Sequence, residues 1–382
     1  MIYPATIGIV GGGQLAKMLT IAAKKMGFFV IVTDPTPQSP AGQIADRQLI
    51  GGYKDEKVTR ELAKLSDVIT VDAEFVNDEV LIDIEKSGKP VHPSPKIIGI
   101  IKDKLFQKEF LKENKIPTAD FFQITLVEDV LKSAKKFGYP MLLKARRDAY
   151  DGKGNYLLQS RTDIEKGFEE LKGRALYVER FVPFIKELAV MVVRSENGEI
   201  RAYPVAETKQ INNVCDLVIV PTKISKKAEA NAISLAKKTV ELLDGVGVFG
   251  IEMFLTRSAG SGQEKILVNE IAPRVHNSGH YTIEACVTSQ FEQHIRAVTG
   301  LPLGSTDMIV KSAVMKNILG TKEGSGFPKG LENALKIPGV SCHLYGKKDS
   351  RVGRKMGHIT VVGNSVKINL QNANKARKML DI

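Results

Sequence analysis

The first hundred residues alternate short apolar runs with helical stretches, and that alternation restricts the fold more than any other feature. Ile7 to Val10 leads to a helix from about Leu15, Phe29 to Thr33 leads to a helix near Val58 to Leu65, and Val68 to Val71 follows. That order reads as a parallel α/β layer. Between the first strand and the first helix, Gly11-Gly-Gly-Gln-Leu-Ala16 satisfies G-x-G-x-x-A, and Asp34 ends the next strand, the spacing of a dinucleotide-binding fingerprint. The glycines permit a tight turn and expose N–H groups at a helix N-terminus. Any phosphate fits there, so the fingerprint alone does not select NAD.

Composition breaks at Pro93 to Pro95, and a helical segment containing Lys102 to Lys108 leads to Ile116-Pro-Thr118, which places a boundary near residue 100. From 139 to 183 the pattern becomes strand, glycine loop, strand, helix, strand, a second domain. After Gly300 to Gly304 come the apolar run Ile309 to Leu319 and a linker through Ser325 to Gly330. Short strands around His343 and Ile359 to Val362 with a final helix then form a small α+β unit. A chain of 382 residues, 43% apolar and 26% charged, supports two or three globular domains. No run of 18 apolar residues and no basic leader is present, so neither a membrane span nor a signal peptide is expected, and the cytoplasm is the expected compartment. Cys215, Cys286 and Cys342 are odd in number and far apart, which points to free thiols rather than disulfides or a cysteine zinc site. The net charge of +12 is spread through stretches such as Ala134-Lys-Lys136 and Ala236-Lys-Lys238 with few aromatics. It fits the steering of polyanionic small substrates better than a nucleic-acid footprint.

Chemistry concentrates in Asn269-Glu-Ile-Ala-Pro-Arg-Val-His-Asn-Ser-Gly-His280 and in Glu252 upstream. Val248 to Leu255 and Ile266 to Ile271 are apolar runs separated by the turn-prone Ser258 to Gln263, a β-hairpin. A turn centred on Ser261 sets Glu252 opposite Glu270 on one face, about 5 Å apart at Cβ. A divalent cation would turn that repulsion into binding, and two carboxylates suit Mg²⁺ held jointly with substrate phosphates. A solvated sheet face is the alternative. Between the strands Tyr139 to Lys144 and Asn155 to Leu158 lies the basic glycine loop Ala145 to Gly154, a flexible phosphate cover in which Lys144 and Lys153 supply charge. Ala175 to Pro183 is a strand that Pro183 ends or confines to an edge, leaving backbone groups free to pair with an adenine, with Glu187 nearby for ribose hydroxyls.

With these residues in view, the chain resembles the N5-carboxyaminoimidazole ribonucleotide synthetases, ATP-grasp ligases of purine biosynthesis. The likeness rests on Gly11 to Leu15, Tyr150-Asp-Gly-Lys-Gly154, Glu179 to Phe184, Gly247 to Phe254, Val268 to Arg274, His276 to His280, Thr288 to His294 and Gly353 to His358. It implies an ATP-grasp fold: a Rossmann-like N-terminal domain over 1–100, an ATP-grasp domain over 101–305 with a lid at about 115–180, and a C-terminal α+β domain over 306–382. It further implies ATP-dependent carboxylation of aminoimidazole ribonucleotide by bicarbonate through carboxyphosphate, in a homodimer. Neither nucleic acid nor membrane is an expected partner. By that resemblance Lys104, Lys144, Ala149 to Asn155 (with Tyr150, Asp151, Gly152, Lys153 and Gly154), Glu179, Arg180, Phe181, Val182, Glu187, Gln210 and Asn269 hold ATP. Glu252 and Glu270 hold Mg²⁺, with Mn²⁺ as the alternative ion, and Glu270 also meets the nucleotide. Gln14, Leu15, Glu74, Tyr150, Asp151, Ser278, Lys347, Arg354 and Lys355 line the ribonucleotide site, with Lys347 and Arg354 on its 5′-phosphate. Arg274, His276 and Asn277, with Lys153, are the expected catalytic groups, orienting bicarbonate and stabilising a developing carboxyphosphate.

The chain departs from the family pattern at Asp148-Ala149, where two glycines are usual, and at Gln210, Lys104 and Asp72, which stand for histidine, arginine and glutamate. His276 and His280 have the spacing of helical zinc ligands, but Gly279 and the loop context oppose a structural zinc. Three competing functions remain: an NAD oxidoreductase, a basic nucleic-acid binder, and a sister ATP-grasp enzyme such as a biotin carboxylase.

Overall fold

A computed structural model describes residues 4–149, 154–257 and 262–382. The strands Thr6–Val10, Phe29–Asp34, Arg47–Ile50, Val68–Val71 and Val91–His92 form an all-parallel sheet in the order third, second, first, fourth, fifth. The third and fifth strands escape sequence reading because Arg47–Ile50 buries only Leu49 and Val91–His92 is two residues long. Helices Glu56–Leu65 and Asp78–Lys86 start where they do because Asp55 and Asn77 accept hydrogen bonds from the N–H groups of Val58 and Val80. The strand order reverses between Thr6–Val10 and Val68–Val71, and their carboxyl ends deliver Gly11 and Asp72 to the crevice where open α/β sheets bind ligands.

A larger antiparallel sheet runs in the order Glu264–Ala272, Gly247–Arg257, Lys186–Arg194, Ala206–Ile211, Val214–Val220, Ser312–Leu319, Lys355–Gly363, Val340–Leu344. One continuous sheet therefore carries segments from both sides of residue 305. Helix Lys226–Leu243, capped by Ser225, buries Ala228, Ala232, Ala236 and Val240, and this four-residue spacing lays one face on the sheet. At the other end helix Val366–Met379 covers Ser312–Leu319 and Lys355–Gly363.

A separate four-stranded sheet, Phe121–Ile124, Leu176–Arg180, Met141–Ala145, Asn155–Leu158, stands over the large one with helices Val127–Phe137 and Ile164–Glu170 on it. Of the two roles open to Pro183, ending the strand is the one seen, and the edge alternative does not hold: Leu176–Arg180 is an interior strand, hydrogen-bonded to Phe121–Ile124 and Met141–Ala145. Pro183 exerts its effect only beyond the last paired residue, Arg180, and any free backbone groups belong to the segment after it.

The expected hairpin is present, and Glu252 is the register partner of Glu270. The expected turn centre, Ser261, lies outside the described residues. The register slips by one between Glu252 and Met253, a bulge that lets two successive residues, Asn269 and Glu270, border the same cleft. Cys215 and Cys286 are buried, Cys342 is half-buried, and all three are free thiols. No helix among the described residues is long and apolar enough to cross a membrane.

Candidate active site

A cleft of about 1230 Å³ lies between the three sheets, and the glycine loop, the hairpin and the carboxy-terminal strands all reach it. At its centre Glu252 and Glu270 face each other. Burial and the neighbouring carboxylates of Glu270 and Glu187 push Glu252 up to about 7. Burial acts the same way on Glu270, but the ammonium of Lys104, which donates to its carboxylate, outweighs it and holds Glu270 below the usual range. Uncompensated charge thus remains on one side of an all-oxygen pair. That is the environment a hard divalent cation relieves.

Lys104 sits at the start of helix Lys104–Glu113. This helix is separate from Pro95–Lys102 because Asp103 caps it, accepting from the N–H groups of Leu105 and Phe106. Asp103 also receives Arg146 through two bonds of 3.0 and 2.8 Å and Arg147 at 3.0 Å. The root of the basic glycine loop is thereby tied to the cap of the helix that carries Lys104. Arg174 donates to the carbonyls of Arg147 and Asp148 at 2.6 and 2.8 Å. Asp148, which stands where the family pattern has glycine, turns toward Lys54 Nζ at 3.8 Å. Ala149 and Asn155 border the cleft, and Gly154 has φ +96°, a backbone that favours glycine. Tyr150, Asp151, Gly152 and Lys153 lie outside the described residues.

Lys144 and Glu179 line the cleft and bond to each other at 2.9 Å. Burial would raise the Glu179 carboxyl, but Lys108 and Lys144 hold it at about 2. Beyond Glu179, the residues Arg180, Phe181 and Val182 follow the wall toward Phe184, whose ring stacks on Phe254 at 4.8 Å and 8°. With Leu142 and Leu157 these rings make an apolar slot that the sequence reading missed. Period-two alternation at Phe254 marks it as facing the cleft, but the partner ring lies in an irregular segment where no period exists. Glu187 and Gln210 close the same end, and burial shifts the Glu187 carboxyl upward.

On the amino-terminal side Gly13, Gln14 and Leu15 border the cleft, but the fingerprint is already occupied by the protein itself. Gly13 N–H donates to Asp72 Oδ2 at 3.1 Å and Tyr53 donates to Asp72 Oδ1 at 2.8 Å. A pyrophosphate at that helix N-terminus would meet a carboxylate, which weighs against the dehydrogenase alternative. Two residues on, Glu74 pairs with Arg274 through bonds of 2.7 and 3.3 Å, a forked contact that aims the guanidinium into the cleft.

His276 follows. Its Nδ1 accepts from the Ser278 N–H at 3.4 Å, which assigns the ring proton to Nε2, 3.5 Å from Glu252 Oε1. Burial, with Arg274 and Lys355 nearby, pushes its pKa down to about 3, so the ring is neutral and acts as a donor. Ser278 is buried behind it and supports it through Oγ at 2.9 Å. Gln290, which the sequence reading left unassigned, accepts from His276 N–H at 3.0 Å and donates to its carbonyl at 2.7 Å. Asn277 lines the cleft, its Oδ1 accepting from Asn317 at 3.1 Å. The His280 ring is engaged separately, by Gln290 at 3.2 Å, so the two histidines do not act as a pair.

Tyr345, just past strand Val340–Leu344, and Lys355, at the start of Lys355–Gly363, border the cleft. Lys347 and Arg354 stand beside it: Lys347 donates to the Lys355 carbonyl at 2.7 Å and Arg354 to the Asp349 carbonyl at 2.6 Å. Burial, then Arg354 and Lys355, bring Lys347 down to about 7.

Comparison with known proteins bears on the whole chain. Profiles of the ribonucleotide synthetase preATP-grasp domain, the ATP-grasp domain and the phosphoribosylaminoimidazole carboxylase C-terminal domain match residues 4–102, 109–291 and 313–372. The N5-carboxyaminoimidazole ribonucleotide synthase of Synechococcus elongatus is 40% identical over 356 residues, 93% of this chain and 89% of that protein. The phosphoribosylaminoimidazole carboxylase of Schizosaccharomyces pombe is 43% identical over 365 residues; 94% of this chain matches, but only 65% of the yeast protein's length. Among solved structures, the N5-carboxyaminoimidazole ribonucleotide synthetase of Thermotoga maritima superposes with a TM-score of 0.88 at 49% identity, over 99% of both chains. An Aspergillus clavatus N5-carboxyaminoimidazole synthase in complex with ADP and 5-aminoimidazole ribonucleotide gives 0.90 at 37%, again over 99% of each.

Proposed function

The chain belongs to the N5-carboxyaminoimidazole ribonucleotide synthase family of ATP-grasp ligases, and we propose that it carboxylates the exocyclic amine of 5-aminoimidazole ribonucleotide in purine biosynthesis. ATP, bicarbonate and the amine give ADP, phosphate, the N-carboxylate and one proton. A bicarbonate oxygen attacks the γ-phosphorus and ADP leaves. The amine nitrogen then attacks the carboxyphosphate carbon, and phosphate leaves with the oxygen that bicarbonate supplied.

The observation that carries this reading is the convergence on one cleft of a facing carboxylate pair, Lys104 on Glu270, Lys144 on Glu179 and a forked Arg274. Phosphoryl transfer needs such clamps and no protein nucleophile. In this reading the stacked phenylalanines and the segment Arg180 to Val182 receive the adenine, Glu187 and Gln210 the ribose side, and Lys104, Lys144, Asn269 and the loop Ala149 to Asn155 the phosphates. Glu252 and Glu270 hold Mg²⁺ or Mn²⁺, which when bound neutralises phosphate oxygens. Arg274 and the Nε2–H of His276 steady the carboxylate of bicarbonate against the γ-phosphate, and Asn277 orients the amine side. Gln14, Leu15, Glu74 and Lys355 border the ribonucleotide, and Lys347 and Arg354, outside the cleft lining, are assigned to its 5′-phosphate by the family resemblance alone. The division at residues 100 and 305, the four-stranded sheet as a lid, a cytoplasmic location and a homodimer belong to the same proposal.

The test is a coupled ADP-release assay with candidate amines. Release that requires Mg²⁺, bicarbonate and aminoimidazole ribonucleotide together is expected. Release that continues without the ribonucleotide, or prefers another amine such as biotin, overturns the assignment.

A further inference from the structure

Lys108 has no part in the mechanism above, yet it is among the most buried charged groups of the protein, at 2% exposure. It follows Lys104 by one helical turn, so both ammonium groups leave the same face of helix Lys104–Glu113. Lys108 Nζ lies 2.5 Å from Glu179 Oε1 and donates to Thr118 Oγ1 at 2.9 Å. Thr118 in turn donates to the Val268 carbonyl at 2.7 Å, next to Asn269. The other oxygen of Glu179 accepts from Lys144 at 2.9 Å. Among the described residues Glu179 is the one carboxylate within ion-pair distance of these two buried ammonium groups, while Glu270, itself held by Lys104, acts on both from farther away. Lys144 and Glu179 border the cleft and Lys108 stands behind them. Two cations around one anion in a low-dielectric site are costly by themselves and become favourable when a further anion arrives.

We infer that Lys108 is a positioning residue for the nucleotide: by engaging one oxygen of Glu179 it leaves part of the charge of Lys144 uncancelled, and that surplus attracts the phosphates. The inference rests on the nucleotide site proposed above. Without Lys108, Glu179 and Lys144 form a neutral pair. Adenosine, which carries no phosphate, would be indifferent to the change.

The experiment is calorimetric titration of adenosine and ADP into the unaltered protein, Lys108→Met and Lys108→Arg. Lys108→Met is expected to weaken ADP about tenfold while adenosine changes by less than about twofold. Lys108→Arg keeps a cation on Glu179 and should bind ADP within about threefold of the unaltered protein. Unchanged ADP affinity in Lys108→Met, equal losses for adenosine and ADP, or a loss in Lys108→Arg as large as in Lys108→Met each overturn the inference. Should Lys108→Met fail to fold, Lys108→Gln takes its place under the same criteria. An unaltered protein that binds neither ligand would instead show that the nucleotide site itself is wrongly placed.

Discussion

At the scale of single residues the cleft is a problem in charge placement. Glu252 has its folded pKa at about 7 against an ordinary 4.5. A carboxyl raised in this way is neutral in the fold at low pH, and the stability present below 4.5 is lost as pH rises through 7. The metal-free protein is therefore expected to show a falling urea midpoint across that window, and Glu252→Gln to flatten it. An identical slope in the variant would mean that another group titrates. Arg274 poses the opposite case. Its forked bonds hold Glu74, whose carboxyl lies below the usual range because Arg274 outweighs burial. Arg274→Ala leaves a buried carboxylate alone, and a stability loss of about 3–5 kcal/mol is expected in denaturant titration. A loss under about 1 kcal/mol would show that Glu74 finds another partner.

At the scale of elements the central device is the bulged hairpin. The facing of Glu252 and Glu270 was legible in the sequence because both lie equally far from the turn-prone Ser261, each inside an apolar run. The bulge was not legible, since nothing in Val268-Asn-Glu270 marks an extra residue. Its consequence is that Asn269 faces the cleft beside Glu270. Asn269→Ala should raise the KM for ATP roughly tenfold to a hundredfold with an unchanged melting temperature, as expected for one lost hydrogen bond to a charged ligand. An unaltered KM would remove Asn269 from the nucleotide site. Leu176–Arg180 shows the limit from the other side. Pro183 left a strand end and an edge strand both open, because strand order depends on pairings with residues 121–124 and 141–145, which local pattern does not encode. The break between helices at Asp103 escaped for a related reason. The apolar period continues through it, and only the cap geometry with Arg146 and Arg147 shows why the chain turns.

At the scale of the molecule, three sheets converge so that anion-binding groups from residues 13 to 355 border one cavity. The parallel amino-terminal sheet was readable from its alternation, and the glycine loop from its motif. That Asp72, held by Tyr53, fills the phosphate seat of the amino-terminal glycine fingerprint was not, because those contacts join residues far apart in the chain. The same holds for Lys355, which reaches the cleft through the pairing of Lys355–Gly363 with Ser312–Leu319. Composition foretold only a basic surface; the fold gathers part of that charge, Lys104, Lys144, Arg274 and Lys355, around the cleft.

The account as a whole stands on bicarbonate attacking the γ-phosphate of ATP within this cleft. It is tested most directly by turnover with bicarbonate labelled in all its oxygens with ¹⁸O, reading the released phosphate by mass spectrometry. Attack through a bicarbonate oxygen predicts phosphate carrying one ¹⁸O per ADP formed, and none without aminoimidazole ribonucleotide. Unlabelled phosphate in a reaction that still yields the N-carboxylate would contradict it.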